Sequence, residues 1–228
     1  MAEATTSPAQ TPEATAALRS GPVAQRVAKL REEAQSQPLA ARDQAWSWLV
    51  ELSRRAASDR DGALAELQEL FLSGEPATGI SGQTEGILVT WAMHPVADRV
   101  IGSATNAWMP WLGKKFYPEE NRGENTLRPS ARWPAKLLWP LYSTRDSPLG
   151  RTAFDFKTYV EAGRLDPSVD VLVIDYAEVA TNPRLVIRQI RDELVQLVPG
   201  ANLGKMLVNV PRRPDPILGL YFALKSDA

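Results

Sequence analysis

The side chains best suited to chemistry crowd into residues 91–139, which hold Trp91, Trp108, Trp111, Trp133 and Trp139. Lys114 and Lys115 follow directly on "WMPWLG", and Arg132 and Lys136 stand among the later aromatics, with Tyr142 just beyond. An indole packs an apolar body and keeps one N–H donor in need of a partner. Such rings beside cations can line a pocket for a flat or greasy ligand, with or without an acidic group. They can equally be plain core. The ligand-binding candidates are Trp108, Trp111, Lys114, Arg132, Trp133 and Trp139, joined by Tyr159 and Tyr221 from later segments.

Acids and bases come next. In "TAFDFKTYVEAG", Phe154, Phe156, Thr158 and Val160 alternate with Asp155, Lys157, Tyr159 and Glu161, the period of a strand. Asp155 and Lys157 therefore share a face, either as a buried ion pair or, more commonly, on a solvated surface. Asp175 and Tyr176 end the apolar run "DVLVIDY". A carboxylate there is a general base if burial raises its pKa, and otherwise a turn cap. Asp155, Lys157, Asp175 and Tyr176 are the catalytic candidates. Asp192 and Glu193 read as helix residues near Arg188, where an ion pair along the helix is the ordinary account. Lys114 and Lys115 alternate on a strand, so one must point inward. Its partner is expected to be Asp155, Asp175 or an acidic group of a ligand.

Composition narrows the chemistry. The 228 residues carry a net charge of −1, which gives no basic field for nucleic acid. There is no cysteine, hence no disulfide, thiol nucleophile or thiolate-bound metal. The single histidine, His94, excludes a metal site built on two imidazoles. "GISGQTEG" lacks the spacing of a dinucleotide-binding or phosphate loop, and no Gly-x-Ser-x-Gly occurs. The N-terminus has no basic start or apolar run of a secretory signal, and no run is long and apolar enough for a membrane span. The expectation is a cytoplasmic chain that needs no cofactor or metal, as monomer or dimer.

These residues must be positioned by a fold. Residues 1–20 are poor in apolar side chains and read as a disordered tail. Residues 21–74 show helical periodicity in three pieces, opened by Pro22, Pro38 and a capping box of Ser58 with Asp61, and closed by Gly74. From residue 75 to 228 the texture is strand-rich, with helices expected at 95–108 and at 183–198. In the second, Val186, Ile190, Leu194 and Val198 recur every four residues behind Asn182 and Pro183. "NLGKMLVNVP" and "ILGLYFALKS" read as a terminal hairpin. Apolar strands in such number must be covered or must close on themselves. The fold class is α+β: an antiparallel barrel with an N-terminal helical segment and two inserted helices.

The segments "TEGILV", "WMPWLGKKF", "FDFKTY", "VLVIDYAEVATNPRLVIRQIRDELVQLVPG" and "NLGKMLV" together with "YFALK" resemble a group of actinobacterial proteins with a lipocalin-like, calycin-type β-barrel. The resemblance spans about residues 80–225 and carries no signature of a named enzyme. The Gly-x-Trp of true lipocalins is absent. What it implies is a barrel that holds a hydrophobic small molecule in an aromatic-lined cavity. An alternative on the same barrel is a cofactor-free cyclase or isomerase, pericyclase-like, of bacterial secondary metabolism, working by shaping its substrate. A third reading is a haem-binding barrel of the nitrobindin kind, with His94 as axial ligand, or a protein–protein adaptor that docks through residues 22–73.

Overall fold

Proline opens the first two helices, where its missing N–H would have had no intrahelical partner. They are α1 (Pro22–Ala34) and α2 (Pro38–Arg55). Helix α3 (Arg60–Leu72) is capped by Asp59, whose carboxylate accepts from the Gly62 N–H at 3.0 Å. The cap thus sits one residue past the expected Ser58. The computed structural model describes residues 20–93, 111–128, 145–147, 150–184 and 186–227. The expected tail, apart from Ser20, and the expected helix at 95–108 lie outside the described residues.

The strands are β1 (Glu75–Pro76), β2 (Gly82–Gln83), β3 (Glu85–Trp91), β4 (Trp111–Tyr117), β5 (Arg122–Leu127), β6 (Arg145–Ser147), β7 (Gly150–Ala162), β8 (Asp170–Asp175), β9 (Ile190–Val198), β10 (Ala201–Val208) and β11 (Ile217–Lys225). Every pairing among them is antiparallel, in the order β2-β4-β5-β7-β8-β9-β10-β11-β3, with β1 added to β9 and β6 to β7. Residues 82–91 serve both edges: β2 pairs with β4 and β3 with β11. Between them the Thr84 N–H donates to the Lys114 carbonyl at 2.9 Å, and Thr84 Oγ1 accepts from the Lys114 N–H at 3.0 Å. The sheet is therefore a nearly closed barrel, and the molecule is α+β.

The second inserted helix is not formed. Residues 187–189 make one 3-10 turn, and residues 190–198 are β9, hydrogen-bonded to β8 and β10. The four-residue apolar spacing that suggested a helix coincides with a strand buried on both faces. Leu194 points into the barrel, while Val195 and Leu197 point out beneath the helices. On such a strand alternation carries no signal, because neither face is left to water.

Two cores result. Outside the barrel, Val27 and Leu30 of α1, Trp48, Leu49 and Leu52 of α2, and Leu67, Leu70 and Phe71 of α3 cover Val171, Val173, Val195, Leu203 and Ala223. Arg31 ties this layer to the sheet, its guanidinium donating to the carbonyls of Leu197 and Ser73, both at 2.9 Å. Lys205 of β10, beneath α3, is buried with Asp166 and Gln68; Gln68 also accepts from the Tyr221 hydroxyl at 2.9 Å. Inside the barrel, Phe116, Phe156, Tyr176, Leu194, Phe222 and Leu224 form the second core. Glycine makes room for two of these rings. A Cβ on Gly204 would lie 2.2 Å from the Phe222 ring, and one on Gly123 would lie 2.4 Å from the Phe156 ring.

Gly204→Ala is expected to lower stability by about 1–3 kcal/mol through overpacking. Gly79→Ala, with nothing within 4 Å of its new methyl, is expected to stay within about 0.5 kcal/mol. Urea unfolding followed by circular dichroism measures both, and equal midpoints would show a loosely filled barrel.

Candidate functional site

Lys114 lies at the middle of β4, and strand alternation sends its side chain inward while Lys115 turns out to stack on Tyr117. Only 3% of Lys114 is exposed. Its ammonium donates to Asn125 Oδ1 at 2.9 Å, to Asp192 Oδ2 at 2.8 Å and to the Tyr176 hydroxyl. Four ring centroids surround the ammonium: Tyr176 at 5.2 Å, Phe156 at 5.3 Å, Phe222 at 5.4 Å and Trp111 at 5.6 Å. The electron-rich ring faces add to what the carboxylate supplies.

Each partner comes from a different strand. Asn125 sits opposite Lys114 on β5, Asp192 sits near the start of β9 beside Ile174 and Met206, and Tyr176 follows β8. Asn125 is the hub. Its Oδ1 also accepts from the Trp111 indole at 3.2 Å, and its Nδ2 donates to the Phe154 carbonyl and the Tyr176 hydroxyl, both at 3.1 Å. Tyr176 in turn donates to Asp192 Oδ2 at 3.1 Å. The Phe154 carbonyl reaches inward because β7 carries an extra residue there, with Phe154 at φ 55°. A bulky residue in that region is strained. Asn182 braces the bulge from behind, donating to the carbonyls of Asp155 and Tyr176 at 2.7 and 3.0 Å.

Burial governs the protons here. It pulls the Lys114 ammonium below the ordinary lysine range, against the attraction of Asp192. It pushes the Tyr176 hydroxyl well above the ordinary phenol range, and the Asp192 charge pushes the same way. Tyr176 is thus a donor and not a base. Chemically the cluster can hold a polar group and orient it, with the Tyr176 hydroxyl as a hydrogen-bond donor.

The inward lysine was expected to meet Asp155, Asp175 or a ligand, and its carboxylate is instead Asp192. With Asp192 on a strand and not on a helix, the expected ion pair along a helix to Arg188 does not exist; Arg188 donates to the Ala177 carbonyl. Asp155 and Lys157 face outward and pair with Arg145 and Glu178. Asp175 accepts from the Tyr159 hydroxyl at 3.0 Å and caps its turn through the Ala177 N–H at 2.7 Å. Burial and Asp175 push the Tyr159 hydroxyl up to about 12. Tyr221 lies under α3, on the other side of the sheet from the cluster. Trp108, Arg132, Trp133, Trp139 and His94 lie outside the described residues. Asn125 was not singled out in the sequence, and Asp192 was read there as a helix residue; only a correct assignment of β9 would have exposed its role.

Two surface depressions lie elsewhere. One, about 440 Å³, is lined by Glu120, Arg122, Asp155, Lys157 and Tyr159. The other, about 180 Å³, adjoins it beside Ile80, Phe116 and Leu172. The charges around the first are already satisfied by Arg122–Glu120 and Lys157–Glu178 pairs. Exposed pairs of this kind leave little for a ligand to gain. Among the described residues no group of three or more His, Cys, Asp or Glu is placed to hold a metal ion.

Lys114→Met strands the Asp192 carboxylate and is expected to cost about 3–5 kcal/mol, whereas adding Asp192→Leu should recover part of that loss. A double-mutant cycle from urea unfolding reads the coupling; strict additivity would dissolve the pair. The folded chain also keeps the protons of Tyr176 and of Tyr221, whose pKa burial raises as well. The unfolded chain releases them above about pH 10. Stability should therefore fall as pH rises past that point. Phenolate absorbance from these two side chains should appear together with unfolding; their ionisation in a still-folded chain would contradict the burial.

No protein-family model and no curated protein sequence matches the chain. A solved structure described as a crystal structure of a protein from Thermomonospora curvata is similar over 78% of this chain and 99% of its own, at 17% identity and a TM-score of 0.42.

Proposed function

We propose that the barrel binds a hydrophobic small molecule at the end where β3 leaves and β4 enters, above the Lys114–Asn125–Tyr176–Asp192 cluster. The observation that carries this reading is the link between an apolar rim and a polar floor. Leu88, Trp91, Trp111, Ile190 and Met206 are partly exposed yet pack against the barrel interior. The Trp111 indole is hydrogen-bonded to the same Asn125 oxygen that holds the buried ammonium. Concave apolar surface with a few converging polar groups is the usual make-up of a small-molecule site. At the opposite end Ala77 and Ile80 belong to the interior core.

Titration with long-chain apolar molecules should quench tryptophan fluorescence. Trp111→Leu, which leaves the ion pair intact, should weaken that binding by at least about tenfold, and Lys115→Met should leave it unchanged. Equal loss in both variants, or no loss in either, would return these aromatics to plain core packing.

A further inference from the structure

We propose that this site selects a neutral ligand whose polar end is a hydrogen-bond acceptor, a carbonyl group in the simplest case, and rejects carboxylates. The proposal rests on the binding reading above and adds the class of ligand.

Charge balance is the first argument. The cluster already contains one basic and one acidic side chain in contact, Lys114 and Asp192, with 3% and 6% of their side chains exposed. Their charges sum to zero whether the proton sits on the amine or on the acid. A carboxylate ligand would compete with Asp192 for the ammonium and leave one negative charge without a partner in apolar surroundings, which is strongly disfavoured. Among the described residues, Arg151 shares the inward face with Leu127 and is already paired with Asp146. Arg145 is held by Glu124 and Asp155 on the far face of the sheet. Arg191 is held by Glu161 and Glu193, and Lys115 lies over Tyr117.

Donor surplus is the second. Asn125 Oδ1 has two lone pairs, and both are taken, by Lys114 Nζ at 2.9 Å and Trp111 Nε1 at 3.2 Å, so it can accept from no further donor at the rim. The Trp111 contact is the longer of the two N–H bonds and lies on the rim side. A second rim indole, Trp91 Nε1, is buried and has no hydrogen-bond partner among the described residues. A buried donor without an acceptor is costly. A carbonyl oxygen brings acceptor capacity and no charge, which is what the Trp91 indole lacks.

The test compares a long-chain methyl ketone with the fatty acid of equal length, by fluorescence titration at neutral pH, on the full chain and on two variants. The ketone is expected to bind the unaltered protein at least about tenfold more tightly than the acid. Asp192→Asn removes the resident negative charge and should reverse that preference. Trp91→Phe keeps the ring but removes the donor, and should weaken the ketone severalfold while sparing the fold, as circular dichroism would report. If Asp192→Asn does not fold, the Trp91→Phe result decides. Acid binding equal to or tighter than ketone binding in the unaltered protein would overturn the selectivity. An unchanged preference in Asp192→Asn, or unchanged ketone affinity in Trp91→Phe, would do the same. Binding of neither molecule would overturn the binding reading itself, and the proposal with it.

Discussion

An ammonium can be kept inside an apolar barrel only if the chain brings a carboxylate to it. Lys114 and Asp192 are 78 residues apart in sequence and 2.8 Å apart in space. Bringing them together requires the whole succession β4, β5, β7, β8 and β9 in correct register, because a shift of one residue would send either side chain to the opposite face. The bulge at Phe154 belongs to the same requirement, since it is the added residue that turns a carbonyl inward to Asn125. The pair is therefore less a source of net stability than a check on register.

The outer face of the sheet repeats the device. Lys205 is sealed beneath Phe71 with Asp166 and Gln68, so helix α3 and the β7–β8 loop are pinned to β10 by one polar contact within an apolar layer. On β9 itself, Asp192 faces inward and Glu193 outward, and both are buried with cations of their own. One strand thus carries charge into both cores, which is why neither of its faces could be spared for solvent.

How much was legible follows from the same physics. Helices α1 to α3 could be read because one face of each meets water and the other does not, leaving a periodic trace closed by proline and glycine. β7 was legible for the equivalent reason: Phe154 and Phe156 are buried, and Lys157 and Tyr159 are exposed. The Lys114 and Lys115 alternation was legible too, as a pair of opposite directions. β9 was not, because both faces are buried and its apolar residues happened to fall at intervals of four. With β9 misassigned, Asp192 looked like a surface helix residue, and the lysine's true partner was out of reach. Asn125 gave no signal of any kind; its role is set by what folds around it.

The strand segment at residues 82–91 belongs to both edges of the barrel, pairing with β4 on one side and with β11 on the other. Its second partner lies more than a hundred residues further along the chain, as in Glu85 opposite Lys225. Closure is therefore a long-range event that must wait for the C-terminal hairpin, and contacts of such sequence separation form slowly. During synthesis the early strand has no mate on that side, and the apolar outer face of β3 has only the helices to shelter it. The three-helix layer, made first and from local contacts alone, is placed in the chain where it can act as an internal holding surface until the last strand arrives.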